Sequence, residues 1–177
     1  MRRVRFFLVM AALVVAGADA NAQCTAAGSP ASCGQPGSVS VTAGRVVRLQ
    51  MSAGSTSLTA PTTSDFDAGF NATTGPTLTV SANAAWTLQI RASSALWTAT
   101  NTTPGVAARV NKPAGDLKWS TASAGTFSAL SASDATLVSG SATASSATTL
   151  YFQTVYDWAL DTPGSYSLSI VLTLTSP

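Results

Sequence analysis

The side chains that could carry acid–base, nucleophilic or metal chemistry are few. The 177 residues include no histidine and no glutamate, so all seven acidic residues are aspartates. Without histidine there is no Ser-His-Asp or Cys-His relay and no imidazole-ligated zinc. A two-carboxylate glycosidase would have to draw on Asp65, Asp67, Asp116, Asp134, Asp157 and Asp161, and none of them sits in a recognisable acid–base context. No glycine-rich phosphate loop stands between a strand and a helix. These absences point to a protein that is not an enzyme and needs no cofactor. One string is metal-like: "DFDAGFN" sets Asp65, Asp67 and Asn71 at spacings that suit hard oxygen ligation of calcium, with Gly69 for a tight turn. It lacks the bidentate acid that would close an EF-hand loop, so a polar turn with side chains bonded to nearby backbone is the simpler expectation, and no metal is expected.

The four tryptophans are the other chemically distinctive positions. An exposed tryptophan can stack on a sugar ring or anchor a protein interface. In "AAWTLQI", Trp86 shares parity with Leu88 and Ile90; in "YDWAL", Trp158 shares parity with Tyr156 and Leu160. That phase predicts a buried face for both. Trp97 and Trp119 fit their surroundings less well, and these two are the candidate binding residues.

The elements that must position these residues read as strands. Ser and Thr make up 49 of the 155 residues from position 23 onward, Val and Ile are common, and strong helix formers are scarce. Short alternating runs recur between Gly, Pro, Asn and Asp, the signature of an all-β sandwich or barrel. Strands are expected at 38–42, 45–52, 55–59, 77–81, 85–92, 96–100, 106–110, 117–120, 126–131 and 136–139, with 61–76 and the small-residue run "GSATASSAT" as loops. The strongest alternation lies at 150–160 and again from 166 onward, and "DTPGS" between them suits a type II turn with Pro163 and Gly164 in the middle. This predicts a long antiparallel hairpin over 150–175. The expected core comprises Trp86, Leu88, Ile90, Phe152, Tyr156, Trp158, Leu160, Leu168, Ile170 and Leu172.

The opening residues look like an export signal. Arg2, Arg3 and Arg5 precede an apolar run over 6–16, and Ala20-Asn21-Ala22 fits the small-x-small site of a signal peptidase. The apolar run is shorter than the roughly 20 residues a spanning helix requires. A cleavable signal peptide over 1–22 is expected, with no membrane span after cleavage. The protein is then secreted, extracellular or at the cell surface, or in a periplasm. Cys24 and Cys33, the only cysteines, would form a structural disulfide in such a compartment. The expected organisation is a disulfide-containing segment over 23–37 and a β-sandwich domain over 38–177. Removing the signal takes away Arg2, Arg3, Arg5 and Asp19, which leaves six basic and six acidic residues and a formal charge of zero. That removes the electrostatic basis for nucleic acid as a partner.

The paired strings at 86–88 and 158–160, the second followed by Pro163 in "WALDTP", resemble the two motifs of WxL-type cell-wall-binding domains. That resemblance implies a secreted β-rich module associated with peptidoglycan or cell-surface complexes. The ending "PGSYSLSIVLTLTSP" is similar to the last strand of spore coat protein U-like and other chaperone–usher pilus subunits. This likeness implies an immunoglobulin-like sandwich assembled by strand donation. The segment 23–37 is Gly/Pro/Ser-rich where a donor extension would be a long apolar alternation. The fold expected from all these features is an immunoglobulin-like antiparallel β-sandwich. The expected function is that of a non-enzymatic structural or adhesive surface protein. Its partners would be further copies of itself, or an envelope or glycan component. The alternatives are a carbohydrate- or wall-binding module, and a pilus or coat subunit built by strand exchange.

Overall fold

A computed structural model describes residues 26–30, 32–33 and 38–177. The expected signal peptide, and Cys24 of the expected disulfide, lie outside these residues. The chain divides into two units, Met1–Thr42 and Ala43–Pro177. In the first, residues 38–42 form no strand, and Val39 and Val41 are 100% and 92% exposed.

The second unit, Ala43–Pro177, is an all-β sandwich of antiparallel sheets. Ten strands occur in the order β1 Val47–Met51, β2 Phe70–Ala82, β3 Trp86–Ala92, β4 Thr98–Thr100, β5 Leu117–Ser120, β6 Ser128–Ala129, β7 Ala135–Gly140, β8 Thr143–Val155, β9 Ser165–Ser167 and β10 Ile170–Thr175. One helix, α1, spans Thr63–Ala68. The larger sheet runs β1-β2-β8-β5-β6, the smaller runs β10-β3-β7, and β4 pairs with β9. Every pairing is antiparallel.

Alternation explains the core. β3 buries Trp86, Leu88, Ile90 and Ala92 and turns Thr87, Gln89 and Arg91 outward. Facing it, β2 contributes Leu78, Val80 and Ala82, and β8 contributes Leu150 and Phe152, to one continuous hydrophobic cluster. Side chains of period two from two sheets meet there, as in any sandwich. The Trp86 indole N–H donates to the Ser141 carbonyl at 2.9 Å, which satisfies the polar end of a buried ring. Leu168, Ile170 and Leu172 are half-buried and pack against this cluster.

Several expectations are corrected. The run 150–175 is not a hairpin. β8 pairs with β2 and β5, whereas β10 pairs with β3 in the other sheet. Both strands turn an apolar face into the same core from opposite sides, so their alternation looks alike without any bond between them. Nor is the turn type II: Gly164 has no positive φ. Its lack of a side chain is needed for proximity instead, since an added Cβ would stand 2.6 Å from Ala108 Cβ.

The string "TTSDFDAG" is a capped helix rather than a loop. Thr62 accepts from the Asp65 N–H while the Asp65 carboxylate accepts from the Thr62 N–H, a reciprocal capping box, and Gly69 closes the helix at φ 78°. The small-residue run "GSATASSAT" is not a loop: only residues 141 and 142 bend the chain, and from Thr143 onward it belongs to β8. Residues 55–59 and 106–110 form no strand. In the latter the backbone bonds to side chains: the Ala108 N–H donates to Asn101 and the Arg109 N–H to the Tyr166 hydroxyl. That hydroxyl donates in turn to the Thr162 carbonyl four residues upstream, an arrangement like the tyrosine corner of immunoglobulin-type domains.

Candidate functional site: a cleft between sheet edges and an exposed aromatic cluster

The edges of the two sheets leave a cleft of about 860 Å3. Leu49 and Met51 of β1 line one side, Ile170 and Leu172 of β10 the other, and the buried rings of Trp97 and Phe152 lie deeper. The cause lies in the topology. β1 is an edge of the larger sheet and β10 an edge of the smaller. The residues after β1, 53–58, also line the cleft but form no strand that would pair with β10. β10 therefore bonds to β3 along one side only. Its apolar residues Ile170, Leu172 and Leu174 pack on the core yet stay partly open, and Met51 is 45% exposed. A free edge with apolar flanks is a template for another strand.

A second distinctive place is the turn after β8. Asp157 Oδ1 accepts from the N–H groups of Ala159 and Leu160 at 2.7 and 3.1 Å, and Asp161 Oδ2 accepts from the Asp157 N–H at 2.9 Å. These local bonds fold the chain back and end the extended run. Beneath the turn lies an ion network. Lys112, only 2% exposed, donates from Nζ to Asp161 Oδ1 and to the Val155 carbonyl, each at 2.8 Å. Arg109 bridges Asp161 at 3.0 Å and Asp116 at 3.3 Å, and Lys112 also stands 3.3 Å from Asp116. Two cations thus face two carboxylates, which is what makes burying a lysine tolerable. Burial acts to raise the Asp161 carboxyl, but the hydrogen bond from Lys112, that from the Asp157 N–H, and Arg109 overcome it and hold it below the ordinary value. All four charges are committed to one another, so the network fastens the segment 109–116 to the turn 157–161 and offers no free acid–base group.

Over this turn stands Trp158, 61% exposed. Its ring lies against Phe66 of α1, centroids 4.6 Å apart and planes 32° apart, and its indole N–H donates to Asp67 Oδ1 at 3.1 Å. Phe66 also meets Tyr156 at 5.3 Å, and Lys112 Nζ lies 5.3 Å from the Tyr156 ring centroid. Leu160 is 52% exposed.

The structure therefore reverses the expected roles of three of the four tryptophans. Trp97 and Trp119, expected to be available for binding, are 5% and 8% exposed and belong to the core. Trp97 donates its indole N–H to the Pro113 carbonyl at 3.1 Å, while the buried Trp119 indole N–H has no acceptor among the described residues. Trp158 and Leu160, expected in the core, stand in the open because β8 ends at Val155 and the Asp157 turn breaks its alternation. Tyr156 is half-buried, and Trp86, Leu88, Ile90 and Phe152 are core residues. Of the calcium candidates, Asp65 caps α1 and Asn71 lies on β2, whereas Asp67 is turned to Trp158. Hydrogen bonds from Thr62, chiefly its backbone, hold the Asp65 carboxyl below its ordinary value.

Sequence reasoning missed the Lys112–Asp161 network and the aromatic cluster. A signal for the second was present: Thr62 followed three residues later by Asp65 is a helix-start pattern, which would have placed Phe66 and Asp67 on adjacent positions of one turn. Compared with known proteins, the chain matches no family model and no curated protein sequence. No helix among the described residues is long and apolar enough to cross a membrane.

Proposed function

We propose that the protein is a secreted, non-enzymatic structural protein of the cell surface, and that its copies associate when a strand of one adds to the free edge of β10 in another. The observation that carries this reading is the cleft between β1 and β10. It has an unpaired backbone edge, apolar walls and buried rings at depth, a combination that suits an inserted strand with alternate side chains pointing inward. The occupant is the segment 38–42 of a second copy. Its sequence, "SVSVT", alternates small polar residues with Val39 and Val41, and those two valines are fully exposed in the chain that carries them. β-branched residues at period two are what the edge of a pleated sheet accepts. The similarity of the C-terminal strand to the last strand of pilus and coat subunits supports the same assembly mode. The uncharged balance of the chain from position 23 onward removes a barrier to close packing of like copies.

The test is sedimentation of the chain from residue 23 onward over a range of concentrations, beside the double variant Val39→Asp/Val41→Asp. The expected result is concentration-dependent oligomers for the wild type. The variant, whose changes lie at fully exposed positions, stays monomeric with an unchanged melting temperature. A wild type that is monomeric at every concentration, or a variant that associates equally well, overturns the proposal.

A further inference from the structure

We propose that Trp158 and Phe66 form a stacking platform for a neutral β-linked glycan, a site separate from the cleft. None of Phe66, Tyr156 and Trp158 lines the cleft, so self-association and glycan binding can fail separately. The first ground is exposure combined with fixation. Trp158 leaves 61% of the largest side chain type in water, which forgoes much of the free energy its burial would contribute. Yet its orientation is set three ways: by stacking on Phe66, by the Asp67 hydrogen bond, and by the Asx-type bonds of the 157–161 turn. A ring that only covered Phe66 would not need its polar edge tethered to a helix on another part of the chain. A ring held open and still has already lost the rotamer freedom that ligand binding would otherwise cost.

The second ground is the sign of the charge around the ring. The carboxylate at the ring is Asp67, exposed and bonded to the indole, while Asp65, two positions earlier on the same helix, and Asp157, next to Trp158 in the chain, add negative charge but are engaged with the Thr62 cap and the turn amides. The cations nearest in the turn, Lys112 and Arg109, are bound to Asp116 and Asp161. Such a rim disfavours phosphate, sulfate and uronate ligands and leaves carboxylate lone pairs to accept from hydroxyl groups. An aromatic face beside hydroxyl acceptors suits a pyranose ring, which presents C–H groups on its face and O–H groups at its edge. A glycan with equatorial β-1,4 linkages keeps that face flat over successive units and can cover both rings.

The experiment titrates the intact chain from residue 23 onward with cellohexaose and with chitohexaose, with polygalacturonate as the anionic control. Binding is read by calorimetry and by the NMR signal of the Trp158 indole N–H, which is assigned by its loss in Trp158→Phe. The expected results are binding of at least one neutral oligosaccharide with movement of that signal, and no binding of polygalacturonate. Trp158→Ala should weaken affinity about tenfold, with Trp158→Phe in between. Absence of binding by the wild type, an unmoved indole signal, or equal binding of the anionic polymer overturns the proposal. The indole signal is read on the wild-type chain, so the test stands even if an alanine variant folds poorly.

Discussion

Lys112 and Asp161 show how much of this molecule depends on a few charges. An aspartate in an unfolded chain titrates at about 3.9. Asp161 is held below its ordinary value in the fold, burial being outweighed by Lys112, the Asp157 N–H and Arg109. A carboxyl whose folded value is depressed contributes stability that is fully present above the unfolded value. That stability is lost as pH falls toward the folded value. The melting temperature should therefore drop as pH is lowered through about 4, and Asp161→Asn should melt lower at neutral pH with a shallower acid dependence. Thermal melts followed by circular dichroism check this, and an identical acid slope in the variant would contradict it. The sequence did not announce the network, because its members lie in two stretches, 109–116 and the turn at Asp161, brought together only by the fold. Of the tryptophans only Trp86 was legible, for a related reason. Trp86 lies in mid-strand, where parity extends on both sides and is reliable. Trp158 lies past the end of β8, where the same parity no longer has a strand to describe. Trp119 shares parity with Leu117 across the outward Lys118, and that short alternation in β5 was the available sign of its burial.

At the scale of elements, alternation located the strands that have one buried face but not their partners. β3, β5 and β7 fall where the pattern puts them, and β8 extends from its apolar half back into a run of Ser, Ala and Thr that carries no hydropathy signal. Pairing is decided by which edge meets which edge, so the shared alternation of β8 and β10 resembles a hairpin although no ladder joins them. One glycine position shows how close the packing is. β2 is irregular between Thr74 and Thr77, and a Cβ on Gly75 would stand 2.5 and 2.8 Å from the ring of Phe152 and 3.2 Å from the Leu150 carbonyl. Because Phe152 is a core ring, its displacement disturbs both sheets. Gly75→Ala should cost about 1–3 kcal/mol, which lowers the melting temperature by several degrees for a domain of this size. Urea or thermal denaturation measures it, and a variant as stable as the wild type would show that the ring moves freely at this contact.

At the scale of the whole molecule, the two sheets bury a single core and yet leave one seam open. The chain supplies both an incomplete edge, β10 beside β1, and an exposed apolar alternation, Val39 and Val41, in the unit before the sandwich. A chain with both has the means to continue into a second copy in head-to-tail fashion, since edge and strand are different surfaces and such contacts do not close on themselves by twofold symmetry. The alternation of 38–42 reads in the sequence as a strand, yet these residues form none in the described chain. Its lack of a partner within the described chain was not legible, because a strand pattern does not say which molecule completes it. Amide hydrogen exchange of the chain from residue 23 onward, compared at low and high protein concentration, tests this most directly. Strand addition predicts that amides of 38–42 and the outward-facing amides of 170–175 gain protection together as concentration rises, and that both lose it in Val39→Asp/Val41→Asp. Exchange in these two segments that is independent of concentration would contradict it.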